Sequence, residues 1–305
     1  MNRFAKYSWG VLGWNMLVIL WGTIVRATSS GAGCGNHWPS CNGVILPTPD
    51  RIHTFIEFTH RVMSGTALIL VFFLLIWGLK IYPKGTHQRI GFIGAAVLII
   101  IEAMLGAGLV LFKLVETDSS VFRAIAVSLH LLNTFLLLAF LSLNAWWASG
   151  GLPLQFKKHK TLAVLFLTGM IGIAIIGMSG AITALGDTLF PSTSLAQTLA
   201  EQNKTGAHFL IQLRIYHPII AIIVGVLILY IVRYLFNNAS DSTGKKLSLL
   251  VGIIVLIQWT AGITNIVLLA PVWMQVIHLF IADSVLVTFT LLAAHTLSKT
   301  NPEDV

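Results

Sequence analysis

The sequence has 305 residues, 56% of them hydrophobic and only 10% charged, with a mean hydropathy of +0.85. Soluble domains carry roughly 25% charged residues, which excludes a soluble domain here, and two cysteines exclude a disulfide scaffold or a four-cysteine metal site. The formal net charge of +8 lies in short loops between apolar runs, so it reads as a membrane orientation signal and not as a nucleic-acid surface.

A spanning helix needs about 20 mostly apolar residues. Eight segments qualify in chain order: 9–27, 55–79, 89–112, 121–147, 161–181, 208–235, 247–269 and 273–297. They lack the period-two alternation of barrel strands. The predicted class is an all-α integral membrane protein.

Eight spans put both termini on one side. That side holds Arg3, Lys6, Lys80, Lys84, Arg89, Lys157, Lys158, Lys160, Arg233, Lys245, Lys246 and Lys299. On the other side Arg26, Arg51, Arg61, Lys113, Arg123, Lys204 and Arg214 are largely offset by Asp50, Glu57, Glu116, Asp118, Asp187 and Glu201. The positive-inside rule therefore predicts cytoplasmic termini. The first span has a later counterpart, which argues against a cleaved signal, and no Arg- and Ser-rich leader is visible. A bacterial plasma membrane is the expected location.

The two halves match at an offset near 155 residues. Gly22-Thr-Ile-Val-Arg-Ala-Thr28 aligns with Gly177-Met-Ser-Gly-Ala-Ile-Thr183, and His60 with His217. Glu102-x-x-x-Gly106 aligns with Gln258-x-x-x-Gly262, and His130-Leu-Leu with His278-Leu-Phe. An even number of spans per half makes this a parallel repeat. The expectation is two tandem, pseudo-twofold-related four-helix bundles, residues 1–150 and 151–305, with an outer loop at 28–54 in the first.

Six of the ten histidines (His37, His53, His87, His159, His208 and His295) fall in loops or near helix ends. The other four, His60, His130, His217 and His278, each lie in the first turns of an even-numbered span, roughly 8–14 Å below its outer end at 1.5 Å per residue. A lone intramembrane His reads as helix–helix glue. Four at equivalent depth, paired by the repeat, read instead as two pairs of axial ligands, one haem iron per bundle. Zinc or copper would want further ligands. Arg123 and Arg214, one or two turns outward of His130 and His217, suit haem propionates. Their alternative reading is as interface markers. Pro218 is expected to kink the sixth span.

Two asymmetries separate the halves. Glu57 lies three residues before His60, where the other half has Arg214 before His217. Such an acid relays protons or stabilises a cation, unless it is only the i,i+4 ion-pair partner of Arg61. Cys34 and Cys41 lie on the oxidising face, where a disulfide is permitted. The pair is a loop staple, a redox or substrate-handling pair, or part of a zinc site with His37 that lacks a fourth ligand. Glu102, Asn133, Asp283 and Thr23 read as structural polar groups.

Three pieces of sequence then carry a resemblance: Gly22 to Gly31, Cys34 to Cys41 with Trp38-Pro39, and Glu57-Phe-Thr-His60-Arg61. Together with the eight spans, the repeat and the four histidines, the chain resembles the haem A synthase family, in its bacterial form with a paired-cysteine outer loop. The resemblance implies oxidation of the C8 methyl of haem O to a formyl group by successive hydroxylations, giving haem A for cytochrome oxidase. It implies substrate haem O at His60 and His130, catalytic Glu57 at the reacting edge, and a haem b cofactor held by His217 and His278. Arg61, Arg123 and Arg214 would be propionate or supporting groups, and Cys34–Cys41 a disulfide. The implied partners are a haem O synthase (protohaem farnesyltransferase), an electron donor and membrane lipid, with a homo-oligomer left open. Two rivals remain: a di-haem electron-transfer protein of the quinol-oxidising type, and a parallel-repeat transporter.

Overall fold

The computed structural model describes residues 1–48, 51–202 and 204–298. Asp50 and Lys299, both used in the charge reading, lie outside them. Among the described residues there is no strand beyond one isolated bridge between Cys41 and Val44. The long helices are α1 (Arg3–Ala27), α2 (Ile52–Ile81), α3 (His87–Leu111), α4 (Val121–Ala148) and α5 (Lys160–Leu189). Then come a short α6 (Leu195–Gln202), α7 (Phe209–Leu213), α8 (Tyr216–Asn238), α9 (Ser242–Val267) and α10 (Val272–Leu297). Eight spans are long and apolar enough to cross a membrane, with α7 and α8 forming one of them. The chain is a multi-pass membrane protein.

Local chemistry accounts for the ends. Asn2 caps α1 by accepting the Ala5 N–H at 2.7 Å, which starts this helix six residues before the predicted span. Pro218 has no N–H, and its ring crowds the carbonyl four residues back, that of Arg214. The sixth span breaks there, between α7 and α8, as the sequence leads one to expect. Helix α5 runs eight residues beyond its predicted end, to Leu189.

Consecutive spans close two rings of contacts. Helices α1, α2, α3 and α4 pack in sequence, with α4 returning to α1. Helices α5, α8, α9 and α10 do the same, and α4 and α1 meet α10 and α5 between the rings. The core is continuous, from Leu74, Phe92 and Leu138 in the first ring to Ile231, Leu286 and Phe289 in the second. Large apolar side chains such as Ile69, Phe73 and Ile223 point outward, the pattern of helices solvated by lipid.

Arg26 fastens the rings to each other. It donates to Ala184 O at 2.6 Å and Thr188 Oγ1 at 2.8 Å on α5, and to Gln275 Oε1 at 2.6 Å on α10. Counting charges along the chain shows an outer cation at this position; the fold makes it a three-way tie between halves.

Candidate functional site

The four histidines sit six to nine residues inside the same end of their spans, the end that carries the Cys34–Cys41 loop. All four are half-buried. Each faces a glycine of the preceding span. A Cβ added at Gly22 would stand 3.2 Å from His60 Cε1, and one at Gly106 3.9 Å from His130 Cε1. In the second ring the corresponding values are 3.0 Å at Gly180 for His217 and 3.2 Å at Gly262 for His278. The glycine matched to Gly22 by its contact is therefore Gly180. Gly177, its partner in the sequence alignment, instead packs against Phe135; the repeat is shifted by one helical turn on this strut.

The His217 and His278 rings are 6.4 Å apart between centroids and inclined at 89°. With imidazole–metal bonds of about 2 Å, two rings on opposite sides of one iron have centroids about 6 Å apart. Those residues fit a haem iron. Ser179 holds His217 Nδ1 at 3.0 Å, which leaves Nε2 as the free ring nitrogen, the usual division of labour for a ligating imidazole. The Nδ1 atoms of His60, His130 and His278 are buried without a hydrogen-bond partner among the described residues. An imidazole with a ring nitrogen free of protein partners can donate to a haem iron.

The disulfide loop is clasped to α2 directly above His60. Cys34 and Cys41 are joined in a disulfide and fully buried, which leaves no thiolate for zinc. Glu57 accepts the Cys34 N–H at 2.8 Å, and Thr54 donates to Gly33 O at 2.8 Å. Arg61 pairs with Glu57 at 2.5 Å and donates to His37 O and Ser40 O, each at 2.6 Å. The i,i+4 ion pair is thus present, and it does more than pair charges, because both members also bind loop backbone.

Arg123 and Arg214 serve backbone as well. Arg123 Nη1 donates to Glu116 O at 2.8 Å and Asp118 O at 2.7 Å. Arg214 Nη2 donates to Phe190 O at 2.6 Å and Gly186 O at 2.5 Å, and its Nε lies 3.0 Å from Asp187 Oδ1. The eight extra residues of α5 create that site. Each guanidinium is thereby fixed at the loop end, outward of a histidine. Of the peripheral histidines, His208 caps α7 through the Leu210 N–H and His295 pairs with Asp241 at 3.0 Å.

Glu102 is the residue that sequence reasoning undervalues. Its Oε1 lies 3.3 Å from His130 Nδ1, a close approach without a hydrogen bond, and Asn133 and Thr134 donate to the carboxylate. The matched Gln258 lies 3.3 Å from His278 through Nε2. The repeat alignment already set Glu102 opposite Gln258; the contact with histidine comes only from folding α4 onto α3. Asp283, by contrast, is no glue: both its carboxylate oxygens are buried without a hydrogen-bond partner among the described residues.

The COX15-CtaA family model, described as cytochrome oxidase assembly protein, matches residues 5–290. The chain belongs to that family. A relative in Thermus thermophilus named "Protoheme IX farnesyltransferase" is 42% identical over 298 residues, 98% of this chain and 49% of the relative. The chain thus spans about half the length of that relative. A "Heme A synthase" of Alkalihalophilus pseudofirmus is 39% identical over 97 residues, 32% of this chain and 33% of its own. Another "Heme A synthase", from an Exiguobacterium species, is 32% identical over 140 residues, 46% of each chain. The farnesyltransferase name belongs to a relative with about as much chain again beyond the matched part.

Proposed function

We propose that this chain is a haem A synthase, which oxidises the C8 methyl of haem O to a formyl group. The observation that carries the reading is the set of four histidines, each against a glycine, in two rings that differ in polar groups. Family membership and the heme A synthase relatives support it.

In this reading the first ring is the substrate bundle, with haem O between His60 and His130. The second ring holds haem b through His217 and His278. Bound haem b supplies one-electron transfer. With dioxygen as the oxidant, each of two successive hydroxylations takes two electrons from the donor and two protons and releases one water, and the gem-diol then loses water, so the substrate bundle must deliver protons. Glu57 is the group we assign to relay them. The Cys34 N–H and Arg61 fix its carboxylate one helical turn from His60. The clasped loop closes the substrate bundle above His60 and excludes water. Ser179 orients His217, and Arg123 and Arg214 stand where propionates would emerge.

The loop end is assigned to the extracytoplasmic side, consistent with its oxidised cysteines, and the termini to the cytoplasm. The Thermus name supports a protohaem farnesyltransferase as the partner that supplies haem O, and an electron donor completes the set. A di-haem electron carrier is disfavoured by the family match.

The test is to express the full chain in cells that make haem O but no haem A, then extract the haems and weigh them. Haem A is the expected product. Haem O recovered unchanged beside a normally folded, haem-bearing protein would overturn the assignment.

A further inference from the structure

Glu102 and Gln258 hold matched places on α3 and α9, each four residues before the glycine that faces a histidine of the next span. Their surroundings are not matched. Asn133 Nδ2 donates to Glu102 Oε2 at 2.5 Å and to Leu98 O at 2.9 Å, and the Thr134 hydroxyl donates to Glu102 Oε1. Both donors come from α4 itself, three and four residues after His130. On α10 the same offsets from His278 are occupied by Ile281 and Ala282, which offer no side-chain donor. One ring therefore contains a carboxylate, held by Asn133 and Thr134, 3.3 Å from its histidine; the other contains an amide whose Nε2 lies 3.3 Å from His278 and whose Oε1 is buried without a partner among the described residues.

A carboxylate beside the non-ligating nitrogen of a metal-bound imidazole fixes the ring and makes it a more basic ligand, while a neutral amide adds no charge. A more basic ligand favours the oxidised iron. We propose that Glu102 is the positioning residue of the first ring: it orients His130 and makes it the most electron-donating of the four histidines. The haem at His60 and His130 is then held at a lower reduction potential than the haem at His217 and His278. The inference rests on the reading that these histidines ligate haem, and it adds the residue that makes the two sites electronically unequal.

The test is redox titration of the purified, haem-loaded full chain, following the absorption of each haem. Glu102→Gln should shift the midpoint of the first-ring haem upward and leave the other in place. Gln258→Glu should shift the second-ring haem downward. Unmoved midpoints in the haem-bearing variants overturn the proposal, and a fall in thermal stability without a potential shift does the same. If Glu102→Gln does not hold its haem, an unmoved second-ring midpoint in Gln258→Glu is decisive against it. His130→Ala keeps the two readings apart: if that variant retains both haems, the ligand assignment fails, whatever the potentials show.

Discussion

A Cβ at Gly180 would stand 3.0 Å from His217 Cε1, close enough that the imidazole would have to give by a few tenths of an ångström. Gly180→Ala should therefore push the imidazole away and lower second-ring haem content. Two effects oppose each other in stability. Alanine favours the helix by about 0.5–1 kcal/mol, and overpacking costs about 1–3 kcal/mol. Haem content by pyridine absorbance should fall more clearly than the melting temperature. Full haem occupancy in Gly180→Ala would mean that the close approach has no part in placing the ring.

The loop over His60 is held by four devices at once: the disulfide, the Cys34 N–H on Glu57, the Gly33 carbonyl on Thr54, and the two loop carbonyls on Arg61. Closing a loop this short by a disulfide stabilises by about 2–3 kcal/mol in the chain-entropy account. Replacing both cysteines by serine should lower thermal stability by about that much and open the loop to protease, while the second-ring haem spectrum stays in place. Arg61→Ala should be worse than the double serine variant, since it leaves the buried Glu57 charge unpaired, at about 3–5 kcal/mol. Thermal unfolding of the two variants, side by side, checks the order.

The spans themselves were legible because hydrophobic length is a local property, and even the break ahead of His217 was announced by Pro218. The depth of the four histidines followed from the same counting. Contacts between distant residues were not legible. Arg26 reads as one more cation until α1 is laid against α5 and α10, and Glu102 reads as a buried polar group until α4 brings His130, Asn133 and Thr134 to it. The short α6 was missed for a different reason: eight residues in a polar loop give too few turns for a hydrophobic pattern.

Pro218→Ala restores an N–H and removes the crowding at the Arg214 carbonyl. Helices α7 and α8 should then join into one continuous helix and rotate His217 away from His278. The expected result is lower second-ring haem content with helicity unchanged or slightly higher, read by absorbance and circular dichroism on the same sample.

Arg26→Lys should behave as a non-conservative change, because an ammonium cannot reproduce a planar fork that serves three acceptors on two helices. It should lower stability by about 1–3 kcal/mol, as for a lost charged hydrogen-bond network, and so unfold at a lower temperature. A melting curve indistinguishable from that of the parent chain would show that the tie between the rings is not made by this residue.

The pairing of the histidines is tested most directly by counting haem in the four single alanine variants of the full chain. His217→Ala and His278→Ala should each lose one and the same haem, and His60→Ala and His130→Ala should each lose the other. If any of these variants keeps both haems, or if His60→Ala and His130→Ala remove different ones, the two-ring, two-haem arrangement is wrong.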